Sequence, residues 1–338
     1  MMHELICSSP GHLTYARTDL PVLTPGHAII KIKRIGICGT DLHAFEGTQP
    51  FFQYPRVLGH ELSGELVAFD NAPGFREGEA VTFIPYFSCG ACIACRRGLS
   101  NCCEQINVFG VHSDGGMKEY ISIPSTSLLH GEGLSYEALA LVEPLAIGAH
   151  AVRRAAIQPG EYVLVTGAGP IGLAAMEFAR IAGARVIALD VNAERLEYCT
   201  SRFQVPFAVN ARDADAREQV KAITGGDMPT VVMDATGNLQ AMNNGIYYLA
   251  HGGRYVLVGL QKEALSFSNP ELHKRETTLL CSRNATRADF EHVISCIQQG
   301  LINPAAYITH HIDFMAVKDA FPSLADPATK VIKAMVTL

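Results

Sequence analysis

Four cysteines follow the spacing Cys89-x2-Cys92-x2-Cys95-x7-Cys103 in a short glycine-containing loop. Thiolates so spaced can close a tetrahedral sulfur shell around Zn²⁺ with no open position, which makes the expected zinc structural rather than catalytic. Disulfides are the competing reading. The chain opens Met-Met-His-Glu-Leu-Ile-Cys, without a basic region followed by an apolar stretch, so no signal peptide is expected. In an intracellular enzyme such spacing favours metal. Cys102 adjoins Cys103, but adjacent residues seldom both reach one ion, and the longer spacing favours Cys103.

A second set of metal-capable side chains lies upstream. Gly36-Ile-Cys38-Gly-Thr40-Asp-Leu-His43 and Gly59-His60-Glu61 place Cys38, His60 and Glu61 beside small residues. Mixed S, N and O donors suit a zinc that keeps an open position. Such an ion is a Lewis acid that acidifies a hydroxyl, after which hydride leaves carbon more readily. Glu143, in Leu141-Val-Glu143-Pro144-Leu, is a further candidate ligand. Thr40 can hand an alcohol proton outward and His43, an imidazole, can pass it to water. Singly, each has a bland alternative: a packed cysteine, a surface His-Glu pair, a capping hydroxyl, an exposed helix histidine. Their joint occurrence argues for a site.

The third motif is Gly167-Ala-Gly169-Pro170-Ile171-Gly172, after one apolar run and before another. Gly167 permits the tight turn, Gly169 admits a pyrophosphate to the backbone, and Gly172 lets helix and strand pack closely. The helix N-terminus opened by Pro170 and Ile171 offers free N–H groups to phosphates. Asp190 ends the next expected strand, where a carboxylate accepts from ribose hydroxyls and repels a 2′-phosphate, so NAD is expected over NADP. Arg195 either lies over the adenine or is a solvated helix residue. Thr236, in Asp234-Ala-Thr236-Gly237, and Val258-Gly259 follow later strands at the edge where ligands collect; ordinary strand-to-helix turns are the alternative.

The elements that must carry these residues fall into two patterns. With 338 residues, the chain is long enough for two domains. Its 48% apolar and 18% charged content describes a globular protein. A net charge of −6 gives no electrostatic footprint for nucleic acid or anionic lipid. The longest apolar stretch, residues 162–175, is short and broken by Gly167, Gly169, Pro170 and Gly172, so no membrane span is expected. Ten cysteines without an export signal point to a reducing compartment, the cytoplasm. Short strands are expected at 28–35, 65–69, 80–84 and 119–123, punctuated by Gly and Pro, as in a partly closed barrel. Residues 137–156 read as helix. From there strands at 162–166, 185–190, 230–234, 254–259 and 278–282 alternate with helices, which predicts a parallel sheet covered on both faces. After residue 282 come a helix (288–299), a strand (308–314), a helix (315–324) and a closing strand (330–338). That tail is expected to return to the first domain. The resulting division is a zinc-binding domain of 1–145 completed by 285–338, and a nucleotide domain of 146–284.

Over essentially its whole length the chain resembles the zinc-dependent medium-chain dehydrogenase/reductase family, through residues 36–43, 59–61, 89–103, Glu143-Pro144, 167–172 and Asp190. The resemblance implies an α/β protein with a GroES-like β-rich catalytic domain and a Rossmann domain. It also implies two zinc ions per subunit, NAD, and homo-oligomers, dimeric or tetrameric, paired through the Rossmann domain. Glu61 and Glu143, with no second cysteine near Pro144, place it nearer the polyol and sugar-acid branch than Cys₂His alcohol dehydrogenases. Within that branch it is similar to bacterial hexonate 5-dehydrogenases, in the 48–60 loop, Gly110-Val-His112-Ser-Asp-Gly-Gly, Ala149-His-Ala-Val-Arg-Arg-Ala, Ala235-Thr-Gly-Asn238 and Ser282-Arg-Asn-Ala-Thr286. This implies oxidation of a C5 hydroxyl, L-galactonate to D-tagaturonate or L-gulonate to D-fructuronate, with a neutral polyol or L-threonine as further alternatives. Arg56, Lys118 and Arg283 are candidate partners for a substrate carboxylate, or members of salt bridges. A catalytically silent binding protein on this scaffold would lack Cys38, His60 or the Thr40–His43 pair; a zinc-free quinone reductase would lack both metal sets.

Overall fold

In the computed structural model, residues 1–49, 52–131 and 133–338 are described. They form two compact units. Met1–Glu143 joins Thr286–Leu338 in the first, and Pro144–Ala285 makes the second. Pro50 and Phe51 of the 48–60 loop lie outside the described residues.

The second unit is built on a six-stranded parallel sheet. Its order is Phe207–Asn210, Arg185–Asp190, Tyr162–Thr166, Val231–Asp234, Arg254–Leu257, Thr278–Cys281. The order reverses direction outward from Tyr162–Thr166, the first of these strands in the chain, which is the doubly wound Rossmann arrangement. The near-continuous apolar runs are buried throughout: Val163, Leu164, Ile187, Val231, Val232, Tyr255 and Val256 are solvent-free. Burial on both faces is what a parallel strand flanked by helices requires. Phe207–Asn210 was not foreseen; four residues with one exposed alanine carry too short a pattern.

The first unit holds a seven-stranded, mostly antiparallel sheet around His27–Ile37 and Glu61–Phe69. The closing strand, Lys333–Thr337, pairs antiparallel with His27–Ile37 and parallel with Ile308–Asp313, so the tail completes this unit. A hairpin of Met2–Ser9 and His12–Thr18, absent from the sequence-based expectation, packs Leu5 and Leu13 into the same core. It was missed because His3, Glu4, Thr14 and Arg17 interrupt the apolar signal. GroES-like and Rossmann units in one α/β chain are the expected fold class.

The expected 137–156 helix is two helices, Tyr136–Ala140 and Val142–Ala155, meeting at Leu141. Ser135 starts the first by accepting from Ala138 N, a side-chain cap. The longest stretch, Val142–Ala155, has 14 residues, and no helix among the described residues is long and apolar enough to cross a membrane.

Candidate active site and metal centres

Cys38 caps the helix Gly39–Glu46, its extended backbone (φ −94°, ψ 155°) turning the chain out of the preceding strand. Asp41, in the first turn, accepts from Cys38 N at 2.9 Å and from Gly59 N at 3.1 Å. One buried carboxylate thus ties the two metal-capable segments together. Gly59 has φ +94°, a left-handed turn that favours glycine, and it delivers His60 and Glu61 into the strand Glu61–Phe69. Glu61 stands opposite Gly36 across the sheet, and a Cβ at 36 would overlap its Oε2. The Gly36 of the motif therefore clears space for a carboxylate.

The ligand atoms of Cys38, His60 and Glu61 lie within 4.8 Å of one another. His60 and Glu61 are buried. His60 Nδ1 has no hydrogen-bond partner and is 3.8 Å from Asp41 Oδ1. A buried imidazole with an unsatisfied nitrogen is costly, and a sulfur, a nitrogen and an oxygen donor so close together fit a zinc ion. Burial lowers the His60 pKa, but the nearby Cys38 and Asp41 charges outweigh it and hold the imidazole well above its ordinary range.

Glu143 is buried but lies outside that three-residue cluster. Tyr86 donates its hydroxyl to Glu143 Oε1. Burial pushes Glu143 up to about 7, with Glu61 adding to the rise and His60 opposing it. Glu61 is held differently. Lys333 Nζ lies 2.6 Å from each of its oxygens and donates to Ile37 O at 3.1 Å. Lys333 is 2% exposed and Glu61 0%.

Asp41, Tyr86 and Lys333 were not singled out from the sequence. The signal for Lys333 was available: one charged residue inside the apolar run Val331-Ile-Lys333-Ala-Met-Val, where lysine is seldom buried unless paired. Thr40 is half-buried and His43 exposed, three residues apart on one helix. The ring of His43 meets Thr48 Oγ1 at 3.2 Å and Glu46 at 3.4 Å.

Cys89, Cys92, Cys95 and Cys103 bring their sulfurs within 4.8 Å of one another. Zn–S bonds of about 2.3 Å in a tetrahedron imply S···S edges of about 3.8 Å, and Cys92 and Cys95 stand at 3.5 Å. Backbone N–H groups already point at the sulfurs: Cys92 N to Cys89 at 3.4 Å, and Cys89 N and Gln105 N to Cys103 at 3.3 Å each. The N–H groups of Cys95 and Glu104 pull the Cys92 thiol down to about 6. Cys102 is exposed and outside the cluster.

In the second unit Gly167 adopts φ +96°, and a Cβ there would meet Thr236 Cγ2 at 3.0 Å. Gly169 caps the helix Pro170–Ile181, and a Cβ at Gly172 would overlap Gly167 O. Asp190 accepts from Ala168 N at 2.6 Å and Asn192 N at 2.8 Å, so its carboxylate braces the glycine loop. A Cβ at Gly169 would find Arg195 Nη1 nearest, at 3.9 Å, which puts this guanidinium beside the loop. Thr236 bonds Asp234 through N and Oγ1, at 2.9 and 2.8 Å. Val258 N and Gly259 N both donate to Asp234 O at 2.9 Å. The loop and both later turns therefore meet at the carboxyl edge of the sheet, where ligands bind in doubly wound folds.

Among the candidate cations, Arg56 is 3.6 Å from Asp114, though its Nε lacks a partner. Lys118 is 3.7 Å from Glu4. Arg283 is exposed and engaged.

A GroES-like unit with two clusters fit for zinc, and a Rossmann unit with a glycine-rich loop, define a zinc-containing alcohol dehydrogenase. Comparisons with known proteins agree. Residues 24–132 match the alcohol dehydrogenase GroES-like domain, and 170–299 the zinc-binding dehydrogenase domain. The chain is 46% identical to an L-galactonate-5-dehydrogenase of Escherichia coli K12, over 99% of each protein. It is 31% identical to a sorbitol dehydrogenase of Halalkalibacterium halodurans, again over 99% of each. A solved alcohol dehydrogenase, RspB of E. coli CFT073 in complex with NADH, superposes with a TM-score of 0.92 at 30% identity, covering 100% of this chain and 99% of that one. The chain belongs to the zinc-binding medium-chain dehydrogenase family. It is an oxidoreductase whose cofactors are zinc and NAD.

Proposed function

We propose that the protein oxidises the C5 secondary hydroxyl of a hexonate, L-galactonate to D-tagaturonate, with NAD⁺ as acceptor. The observation that carries the substrate is the 46% identity, over nearly all of both chains, to an L-galactonate-5-dehydrogenase. The chemistry rests on the cluster of a half-buried Cys38 with the buried His60 and Glu61. In the balanced reaction a C–H bond breaks, hydride passes to nicotinamide, the hydroxyl becomes a carbonyl, and one proton is released. Zinc, when bound, supplies the Lewis acidity that lowers the pKa of the substrate hydroxyl.

Cys38 and His60 hold that zinc, with Glu61 and Glu143 as its carboxylates, and the buried Asp41 carboxylate stands beside the imidazole, 3.8 Å from Nδ1. Thr40 receives the proton and His43 delivers it to water. Cys89, Cys92, Cys95 and Cys103 hold a second, structural zinc. Gly167, Gly169 and Gly172 admit the pyrophosphate to the N-terminus begun by Pro170 and Ile171, Asp190 accepts from ribose, and Arg195 covers the adenine. Thr236, Val258 and Gly259 line the remainder of the dinucleotide. Arg56, with its free Nε, is the cation best suited to share a substrate carboxylate. The ten cysteines, none disulfide-bonded, suit a cytoplasmic setting.

The test is initial-rate NAD⁺ reduction by zinc-loaded protein with L-galactonate, L-gulonate, D-sorbitol and L-threonine in parallel. L-Galactonate should give the highest kcat/KM. A preference for L-gulonate would change the configuration at C3, two carbons from the reacting C5, and keep the substrate class. Turnover confined to sorbitol, the substrate named for a 31% identical relative, or to threonine would overturn the sugar-acid reading.

A further inference from the structure

The helix Gly39–Glu46 carries a hydroxyl, an imidazole and a carboxylate at three-residue intervals, on Thr40, His43 and Glu46. Residues three apart on a helix are neighbours, and His43 Nδ1 lies 3.4 Å from Glu46 Oε2. The same nitrogen meets Thr48 Oγ1 at 3.2 Å. The helix end brings Thr48 there. Gly47 turns the chain left-handed at φ +77°, and Thr48 N then donates to His43 O at 2.8 Å. Two polar side chains, one on each side of that glycine, converge on one ring nitrogen. Helix stability does not account for Glu46, because a carboxylate in the last turn opposes the helix dipole.

The convergence decides where a neutral His43 carries its proton. A carboxylate can only accept. A bare Nδ1 would turn its lone pair toward that anion. A protonated Nδ1 instead donates to Glu46 and to Thr48, whose own hydroxyl donates to His43 O at 3.3 Å. The ring's lone pair is then on Nε2. We propose that Glu46, assisted by Thr48, is a positioning residue that holds neutral His43 as the Nδ1–H tautomer and so makes Nε2 the nitrogen that takes the proton of the oxidised alcohol. The inference rests on the reading of Thr40 and His43 as the proton path. In that step Nε2 gains the proton and the ring becomes an imidazolium with N–H on both nitrogens. Glu46 stabilises this cation through Nδ1–H. The Nε2 proton then passes to water, and the ring returns to its starting form.

The experiment uses full-length, zinc-loaded protein with ¹⁵N-labelled histidine, the His43 signals being those lost in His43→Gln. At a pH where the ring is neutral, the parent should show a protonated Nδ1 and a bare Nε2. Glu46→Gln, whose amide can donate to Nδ1 as well as accept, should populate both tautomers. It should lower kcat about fivefold, the upper scale for an exposed charge pair, with KM within about twofold. Its Tm should be unchanged or higher, which separates positioning from a structural role. Added to His43→Gln, the same substitution should cost nothing further, since the carboxylate acts only through the ring. A parent with Nε2–H, a Glu46→Gln variant of parental tautomer and kcat, or a Glu46→Gln loss that persists in the His43→Gln background overturns the proposal. If His43→Gln alone turns over the preferred alcohol at the parental rate, the proton-path reading itself fails, and the proposal with it.

Discussion

At the scale of single residues, the chemistry turns on side chains whose alternatives are costly. Cys38 supplies the only sulfur of the Cys38–His60–Glu61 cluster among the described residues, so Cys38→Ala should abolish turnover while thermal unfolding and NAD binding change little. Dehydrogenase assays beside calorimetric NAD titration check this, and retained activity would remove the catalytic role of Cys38. Asp190 makes a subtler case. Its oxygens already accept from Ala168 N and Asn192 N, so truncation to alanine would loosen the glycine loop as well as remove a ribose acceptor. Asp190→Asn keeps an acceptor and removes the charge. It should weaken NAD about tenfold, about 1.4 kcal/mol, while NADP loses less because the repulsion of a 2′-phosphate is gone. Equal losses for both dinucleotides would argue against contact with the ribose. The bracing role of Asp190 could not be read from spacing, since strand-end carboxylates at this position have either backbone or ribose as partner.

At the scale of elements, the metal loop is the clearest case of local structure held by something other than a core. Between Cys89 and Cys103 there are only the short turns Ile93–Arg96 and Ser100–Cys102. Ile93 and Leu99 are exposed, at 52% and 39%, so the segment has little apolar burial of its own. Cys95→Ser should therefore cut bound zinc from two ions to one and lower Tm. A loss of about 3 kcal/mol corresponds to roughly 6–12 °C in domains of 150–250 residues. Prolonged chelation should also open the segment to trypsin at the exposed Arg96 and Arg97, seen as a single early cleavage by mass spectrometry. Two zincs and an unchanged melting curve in Cys95→Ser would contradict the structural assignment. Motifs of this kind were legible because a loop or cap fixes them within a few residues. The strands of the nucleotide unit were legible too, since burial on both faces leaves unbroken apolar runs such as Tyr162–Thr166. What stayed hidden depended on partners distant in sequence. Lys333 meets Glu61 across 272 positions, Tyr86 meets Glu143 across 57, and the break at Leu141 lies inside a helical pattern that runs through it.

At the scale of the whole molecule, the two edges of the Rossmann sheet are Phe207–Asn210 and Thr278–Cys281, and the second is the more exposed. The Rossmann sheet ends on Thr278–Cys281, in which Thr278, Leu279 and Cys281 are exposed and Leu279 keeps 42% of its surface in water. Among the described residues, no strand neighbours the far side of this one in the sheet. Natural proteins blunt such edges with charge, proline or a bulge, yet this one carries Thr-Leu-Leu-Cys without a charged residue. An uncharged, apolar, hydrogen-bond-hungry edge suits a second copy of the same strand, paired about a two-fold axis so that the same residues meet from both sides. We therefore predict that the protein is a homo-oligomer in which this edge is covered. Leu279→Lys, which places like charges across the symmetric interface, should lower the mass in analytical ultracentrifugation by half or more at micromolar concentration. The metal content should be unchanged, because both zinc clusters belong to the other unit. A parent protein that sediments as a monomer, or a Leu279→Lys variant of unaltered mass, would show that the edge is shielded in some other way.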